Sequence, residues 1–304
     1  MIEQIATAAA PRHASNVPAT QLPRHGSRKT FRILRRIPVW ILITAVIIVE
    51  VLPLVWIFIS SVRPAAEFDT RPMWTIPLSF DWSNYAYAWT TGEMGTYLRN
   101  SVIAVVPALL LIVAFSLCAA FALEIMRWRG RNGVMLLFLG GIMIPLQMIL
   151  LPLFAIYVQA GLVNSLGSLI ITYTVFGLPL SIYMLAGFYK TVPRSIVEAA
   201  VIDGASMLGV FWRITVPMMR NAIVTGVLVQ FFFIWNDLLL SLTFINDESL
   251  RTVQTGLLGF TMGFGQTWGP TFAAVCMTII PTLVIYLVLN QTVIRGVATG
   301  SVKG

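Results

Sequence analysis

Polar side chains that fall inside long apolar runs are the first candidates for chemistry in this chain. Asn236 and Asp237 lie in QFFFIWNDLLLSLTF, Gln147 lies in IPLQMILLPLF, and Glu50 lies in ITAVIIVEVLPLVW. An amide or carboxyl group in such a place can bind a polar solute, relay a proton or join two helices. Gln147, Asn236 and Asp237 are therefore candidates for a pore or gate, and a hydrogen bond between helices is the alternative for each. For Glu50 we expect a protonated carboxyl or a bond to a neighbouring helix.

The residues that several kinds of catalysis need are missing. None of the three lysines follows a glycine, so the G-x-x-x-x-G-K-[ST] phosphate loop does not occur. The two histidines, His13 and His25, lie outside the apolar runs and provide no metal ligand or general base within a bundle. Cys118 and Cys276 fall inside apolar runs, which favours packing over a disulfide or zinc site. We therefore expect no catalytic residue, metal or cofactor in this chain, and we expect that the protein is not an enzyme.

A short segment between two apolar runs has the turn and cap residues of a helical hairpin. Residues 198–217 read EAAVIDGASMLGVFWRITVP. Pro193 suits the first turn of one helix, and Gly204 after Asp203 can adopt a positive φ and end it. Ser206 is a suitable N-cap for a second helix, and Pro217 marks the turn into the next apolar run.

The composition of this hairpin favours contact with another protein. Ala199 and Ala200, which follow Glu198, have little side-chain bulk, so a partner surface can approach closely. An amphipathic helix on the lipid surface is the alternative. However, the sequence has no lysine or arginine between Ile196 and Leu208, whereas interfacial helices usually carry basic residues.

Apolar runs long enough to cross a bilayer surround these features. The chain is 58% hydrophobic and 11% charged, whereas a soluble domain carries about 25% charged residues. Runs of about 20 apolar residues predict six membrane spans. They cover approximately Val39–Ile59, Ser101–Leu123, Val134–Val158, Leu166–Phe188, Ala222–Ile245 and Phe272–Val293. The third contains two glycines and two prolines, which predicts a broken or kinked helix.

The distribution of positive charge predicts the orientation. Of the 20 Lys and Arg residues, 16 fall in residues 1–37, in the loops after the second and fourth spans and at the C-terminus; 4 fall on the other side. Basic loops stay cytoplasmic, so both termini are expected inside the cell. We read residues 1–37 as a mobile basic tail and residues 38–304 as the membrane domain. This asymmetry explains the net charge of +8 without a nucleic-acid partner.

Motifs along the chain resemble those of one transporter family. The pattern E-A-A-x-x-D-G-A-S, followed by Phe211 and Pro217, resembles the coupling loop of ABC importer membrane subunits. Further matching stretches occur in the same order: SSVRPAAEF, Asn84-Tyr85, RNS, IPLQMILLPLF, GLPLSIYML, WND and GVATGSVKG. Residues 38–304 are thus similar to the smaller membrane subunit of a maltose-type carbohydrate importer. The chain departs from the pattern at Glu124-Ile125 and in its long basic tail.

The resemblance implies an all-α, polytopic type I ABC importer permease fold with six transmembrane helices in the bacterial inner membrane. The chain would form half of a pore for a sugar or polyol, with a different permease subunit as the other half. Two ATPase subunits would bind ATP and Mg, and an extracytoplasmic sugar-binding protein would deliver the solute.

The resemblance also assigns roles to residues of the loop 190–221, called the coupling loop below. Five would sit in a cleft of one ATPase subunit: Glu198, Ala199, Ala200, Asp203 and Gly204. The same element includes Ala205, Ser206, Phe211 and Pro217. At the C-terminus, Lys303 and Gly304 would reach between the ATPase subunits.

Two alternatives for function remain at this point. One keeps the ABC class but changes the solute to glycerol phosphate or another small polar molecule. The other is an ion-coupled secondary transporter or channel, for which Glu50 and Asp237 would form a sparse relay without a basic partner. In the first outer loop, Trp74, Trp82 and Trp89 fit either contact with a binding protein or anchoring at the membrane interface.

Overall fold

The structure, a computed structural model, describes residues 27–262 and 268–300, with side chains over 38–261 and 268–289. Regular structure in these ranges is helical. The α-helices are α1 (Ser27–Ser61), α2 (Ala65–Thr70), α3 (Ser83–Thr90), α4 (Met94–Glu124), α5 (Arg131–Ile142), α6 (Leu146–Gln159), α7 (Leu166–Tyr189), α8 (Arg194–Ile202), α9 (Met207–Val210), α10 (Val216–Met218), α11 (Arg220–Trp235), α12 (Leu239–Phe244), α13 (Val253–Met262) and α14 (Trp268–Gly300). A π-helical turn covers Phe211–Thr215, and a 3₁₀ turn covers Glu248–Leu250.

Long apolar helices confirm the prediction of an all-α polytopic membrane protein. Within the described ranges four helices can cross a bilayer: α4, α7, α1 over Pro38–Ser61 and α14 over Trp268–Leu289. Two bent pairs can each form a further span, namely α5 with α6 and Met207–Met218 with α11. The expected total of six is reached only if both bent pairs are counted as spans.

The chain divides into two compact units, residues 1–53 and residues 54–304. The described part of the first unit is the helix α1 up to Pro53, with exposed apolar side chains from Val39 onward and an exposed Glu50. Helix α1 begins at Ser27, so residues 27–37, which the sequence assigned to the tail, are helical. The rest of that tail lies outside the described residues.

In the second unit α4 and α7 form the central pair, and α11 and α14 pack beside them. Gly177 of α7 allows the close approach, because a Cβ there would lie 2.5 Å from Cδ1 of Ile112 on α4. Small residues at helix contacts matter in lipid, where close packing rather than water exclusion drives helix association.

The third predicted span is broken, as its prolines indicated. Helix α5 ends at Ile142, α6 begins at Leu146, and the two meet at 95°. Pro145 precedes α6 with φ −66° and ψ 127°, an extended conformation. Proline has no N–H for a helical bond and disfavours helical conformation in the residue before it, which explains the break.

The fifth predicted span, Ala222–Ile245, is also interrupted, and a continuous helix there was the wrong expectation. Helix α11 ends at Trp235, and α12 starts at Leu239. In the gap, Asp237 accepts hydrogen bonds from the backbone N–H of Leu240 (3.3 Å) and Ser241 (3.2 Å). An aspartate that bonds local backbone donors competes with helix continuation.

Candidate functional site

The coupling loop begins where α7 ends. Pro193 is the N-cap of α8, with φ −62° and ψ 125°, so it lies one residue before the first helical turn in which it was expected. Near this start, Nζ of Lys190 lies 3.6 Å from a carboxylate oxygen of Glu124 at the end of α4. Glu124, one of the positions at which the chain departs from the family pattern, thus pairs with Lys190. The pair ties the start of the loop to a membrane helix.

Gly204 ends α8 in a left-handed conformation, as predicted. Its φ is 84°. Its N–H donates to the carbonyl of Val201 (3.0 Å), and the N–H of Ala205 donates to the carbonyl of Ala200 (2.9 Å). This bond pair is a Schellman motif, which satisfies the last carbonyls of a helix and reverses the chain. The turn between α8 and α9 is therefore fixed by backbone bonds.

Ser206 starts the second helix, also as predicted. Its Oγ accepts a hydrogen bond from the N–H of Gly209 at 3.2 Å. After α9 the chain widens into the π-helical turn Phe211–Thr215 and returns to α-helix over Val216–Met218. Pro217 lies in that last turn, and at Met219 the chain bends by 73° into α11.

One face of the coupling loop is buried against the membrane helices. Val210 and Phe211 are buried, and the Phe211 ring meets the Phe121 ring of α4 edge-on at 5.2 Å between centroids. Phe121 also contacts Tyr189 at the end of α7 at 6.0 Å. Ala200 and Ala205 pack, partly buried, against this same cluster. Ala200, expected at the partner surface, therefore faces at least partly inward.

The opposite face is exposed and partly apolar. Glu198, Ala199, Asp203 and Gly204 lie on it, in keeping with the expected partner surface. The sequence reading did not single out its large apolar members, whose exposed fractions are high: Val201 47%, Ile202 85%, Leu208 68% and Trp212 59%. Val201, Ile202 and Leu208 fall in the stretch from Ile196 to Leu208, which has no lysine or arginine, and this was the signal that pointed to them. Exposed apolar patches of this kind mark interaction sites.

The polar residues of the membrane helices that are candidates for a pore or gate line one cavity of about 690 Å³. Gln147, Asn236 and Asp237 all line it, although they lie up to 90 positions apart in the chain. Two further polar residues line it that the sequence reading missed, Tyr173 and Gln230. The remaining lining is mostly leucine, isoleucine and phenylalanine from α5 to α12. The break before α6 and the break after α11 both open onto this space.

The polar groups of the cavity also join helices. The Tyr173 hydroxyl of α7 donates to Oδ2 of Asp237 at 2.9 Å. Nε2 of Gln230 on α11 donates to the carbonyl of Gly177 (3.0 Å) and to Oγ of Ser181 (2.9 Å). Asp237 thus lines the cavity and also bonds α7, so a role at the pore and a role in joining helices do not exclude each other.

Two further expectations concern the C-terminus and metal binding. Lys303 and Gly304 lie outside the described residues. Within the described ranges, no group of three or more His, Cys, Asp and Glu side chains could hold a metal ion. The candidate chemistry of the described part is therefore solute contact in the cavity and protein contact at the coupling loop.

Comparison with known proteins decides the family. The family described as "Binding-protein-dependent transport system inner membrane component" matches residues 112–292, which include α7, the coupling loop and α11. The chain belongs to this family. The resemblance drawn from its motifs is thereby confirmed, and the chain is a multi-pass transport permease rather than an enzyme.

Individual relatives agree with the assignment to the permease family. A probable ABC transporter permease of Bacillus subtilis, YurM, is 31% identical over 266 residues, which cover 88% of each chain. The diacetylchitobiose uptake system permease NgcG of Streptomyces coelicolor is 30% identical, over 84% of this chain and 85% of its own. The melibiose/raffinose/stachyose import permease MelC of Bacillus subtilis is 28% identical, over 83% of this chain and 91% of its own.

A solved structure supports the permease fold. A chain of a bacterial ABC transporter involved in the import of the acidic polysaccharide alginate superposes with a TM-score of 0.74. The match covers 88% of this chain and 98% of that chain at 20% sequence identity. At that identity the likeness concerns the fold alone.

Proposed function

We propose that this permease forms half of the translocation pore of an ATP-driven importer for a neutral carbohydrate. A second permease subunit would complete the pore, and an extracytoplasmic binding protein would deliver the solute. Two ATPase subunits would bind ATP and Mg and drive transport. The observation that carries the proposal is the two-faced coupling loop, which packs on α4 and α7 through one face and exposes an apolar surface on the other.

The cavity supports a carbohydrate as the solute. Its volume of about 690 Å³ falls within the range of about 300–1,000 Å³ that is typical of small-molecule pockets. Amide, hydroxyl and carboxylate groups line it among apolar side chains, which suits a solute with many hydroxyl groups. Relatives named for the uptake of diacetylchitobiose and of melibiose, raffinose and stachyose favour the same class.

The cavity also bears on the alternative of glycerol phosphate. Its lining contains Asp237 and no lysine or arginine. Phosphate groups are usually held by arginine, lysine or a helix N-terminus. Asp237 already accepts from the N–H groups at the start of α12, so the start of α6 is the remaining helix N-terminus among the lining residues. With that one N-terminus and no cation in the lining, a neutral sugar fits better than a phosphate ester.

The coupling loop supports a mechanical link to a separate ATPase. The chain has no phosphate loop, so the energy of ATP hydrolysis must reach the pore through a contact between proteins. Because Phe211 packs directly on Phe121, a displacement of the loop would act on α4 without an intervening flexible segment. The positive charge distribution supports a cytoplasmic location for this loop and both termini, which is the side on which the ATPase subunits would bind.

The first test is of autonomy. The purified chain alone should neither hydrolyse ATP nor carry sugar into vesicles, and both activities should appear with its partner subunits. ATP hydrolysis by the isolated polypeptide would refute the proposal. Uptake assays with a disaccharide and with glycerol phosphate then decide the solute class.

The second test concerns the exposed face of the coupling loop. Ile202→Glu and Glu198→Lys should each reduce co-purification of the ATPase and uptake, since a mispaired charge at an interface costs about 2–5 kcal/mol. Met126→Glu is the matched control, because Met126 is also exposed and apolar, in the loop after α4 on the same side. If Met126→Glu and Ile202→Glu behave alike, the coupling loop is not the docking surface.

A further inference from the structure

The segment after α2 exposes large apolar side chains at every second position. Between 60% and 81% of each of these side chains is exposed. They are Trp74, Ile76, Leu78, Phe80 and Trp82. Pro77, between two of them, is buried, and Thr75 is half-buried. The backbone here consists of turns and bends, and Ser79 is exposed as well. The five large exposed side chains on this irregular segment are called its apolar edge below.

The backbone of this segment is bonded inward by side chains of the protein. The carbonyls of Pro72 and Thr75 accept from the guanidinium of Arg63, at 3.1 Å for Pro72. The carbonyl of Ile76 accepts from Arg71 at 3.1 Å. The N–H of Leu78 donates to the carboxylate of Glu67 at 3.1 Å. An irregular segment lies against lipid only where its backbone groups are satisfied from within. These bonds satisfy the carbonyls of Thr75 and Ile76 and the N–H of Leu78.

Arg63 organises this arrangement from a fully buried position. Its guanidinium carbon lies 5.4 Å from the centre of the Phe68 ring, a cation–π contact. The planar guanidinium can donate several hydrogen bonds in a fixed geometry, which suits the binding of neighbouring carbonyls. The buried charge therefore serves to hold the segment, and the apolar side chains remain outside.

Two hydrogen bonds set the position of the segment along α1. Nε1 of Trp56 donates to the carbonyl of Met73 at 3.0 Å, and the N–H of Asp81 donates to the carbonyl of Val62 at 2.7 Å. The apolar span in α1 ends at Ser61. Trp56 precedes that end by about 8 Å at the helical rise. The segment thus lies beside the last turns of α1, a helix long and apolar enough to span a bilayer.

We propose that residues 73–82 form an interfacial anchor whose apolar edge inserts into the lipid headgroup–acyl boundary at the C-terminal end of α1. Tryptophan and phenylalanine suit this layer. The sequence MWTIPLSFDW contains no lysine or arginine, so insertion depends on apolar contact and not on anionic lipid. The anchor requires only that α1 spans the membrane, and it stands independently of the proposed solute.

Depth measurement with spin labels tests the anchor. Single cysteines replace Ile76, Leu78 or Phe80 in a chain carrying Cys118→Ala and Cys276→Ala, assembled with its partner subunits in lipid nanodiscs. Asp69→Cys is the control, because Asp69 is a charged, exposed residue of α2, just before the segment. Labels on the apolar edge should be several-fold more accessible to oxygen, relative to a water-soluble nickel chelate, than the Asp69 label. Nanodiscs with and without anionic lipid should give the same ratios.

Each other result overturns the proposal. Labels as accessible to the nickel chelate as Asp69 would show that the edge projects into water. Labels inaccessible to both reagents would show that a partner subunit covers it. Protection that appears only when the binding protein is added would show a docking surface for that protein. Because the replaced side chains are exposed, assembly of each variant is checked by its co-purification with the partners.

Discussion

Gly204 shows how one residue can be required for its backbone alone. Its φ of 84° is rarely adopted by other residues, yet nothing lies within 4 Å of the place where a Cβ would be. A substitution is therefore disfavoured by backbone strain and not by a clash within this chain. The Schellman bonds from the N–H of Ala205 to the carbonyl of Ala200 and from the N–H of Gly204 to the carbonyl of Val201 depend on this conformation.

We predict a graded loss of coupling across substitutions of Gly204. Left-handed conformation costs about 1–2 kcal/mol for an ordinary residue, less for asparagine and more for a β-branched one. Uptake driven by ATP should therefore fall in the order Gly204, Asn, Ala, Val, with the valine variant inactive but inserted in the membrane. Gly187→Ala in α7 is the control, because its added Cβ also meets open space and its φ is not in the left-handed range. If the valine variant and the parent had equal uptake activity, the left-handed turn at Gly204 would not be needed for transport.

Asp237 combines a structural role with a place at the cavity. It accepts from Tyr173 and from two backbone N–H groups, so Asp237→Ala leaves buried donors unpaired at about 1–3 kcal/mol each. We predict a lower melting temperature for Asp237→Ala and a smaller decrease for Asp237→Asn, which keeps one acceptor oxygen. Tyr173→Phe removes the hydroxyl partner without changing the ring.

A double-mutant cycle of Asp237→Asn and Tyr173→Phe separates the two roles. If Asp237 acts only as a bond between helices, uptake should follow the melting temperature in all variants. A variant with normal melting but altered sugar selectivity would assign Asp237 to the transport path. Additive stability losses would contradict the bond between the two side chains.

Local rules predicted the turn at Gly204 and the cap at Ser206, but the cavity residues only in part. Gly204 and Ser206 act on backbone within a few positions of themselves, so the sequence alone indicates their roles. Gln230 and Tyr173 instead bond partners 53 and 64 positions away in the chain, respectively. A reading of neighbouring residues contains no signal for such pairs.

At the scale of elements, the coupling loop is held by aromatic contacts with α4 and α7. We predict that Phe211→Ala lowers the melting temperature, because loss of a buried phenylalanine typically costs about 3–5 kcal/mol. ATP hydrolysis should continue while uptake falls, since the loop would no longer move α4. Trp212→Ala should show the reverse, with unchanged melting and weaker ATPase association, because Trp212 is exposed. Identical behaviour of both variants would contradict the two-faced loop.

The two broken spans differ in how visible they are in sequence. The break before α6 was predicted because Pro145 cannot donate a helical hydrogen bond. The break after α11 was not predicted, because Asn236 and Asp237 can both occur within a helix. The helix ends there because Asp237 accepts hydrogen bonds from the N–H groups of Leu240 and Ser241 instead. Which of two hydrogen-bond schemes such residues adopt depends on tertiary contacts, here with Tyr173.

At the scale of the whole molecule, charge distribution predicts the orientation in the membrane. We predict that a cysteine at Ser206, in a chain free of Cys118 and Cys276, reacts with an impermeant maleimide only in inside-out vesicles. Thr91→Cys, at an exposed position after α3, should react from the opposite side. Labelling of Ser206→Cys in intact cells would show that the coupling loop lies outside the cell. The predicted topology would then be wrong, and the loop would not contact a cytoplasmic ATPase.

Much of the architecture followed from composition and apolar run length. Four helices match predicted spans, and the ordered motifs indicated the permease fold that the family match confirms. The short helices α2, α3, α12 and α13 were not predicted, because each is shorter than a membrane span and lies outside or at the end of an apolar run. Bonds to distant residues help to fix them, such as the one from the N–H of Val253, at the start of α13, to Oγ of Ser101 on α4.

The two faces of the coupling loop make it an exchangeable part. Residues that fit the membrane helices, such as Phe211, and residues available to a partner, such as Ile202, belong to separate sets on one short hairpin. We predict that replacing only the exposed residues of the loop by those of a related permease would leave its packing on the membrane helices unchanged and would change which ATPase subunit binds.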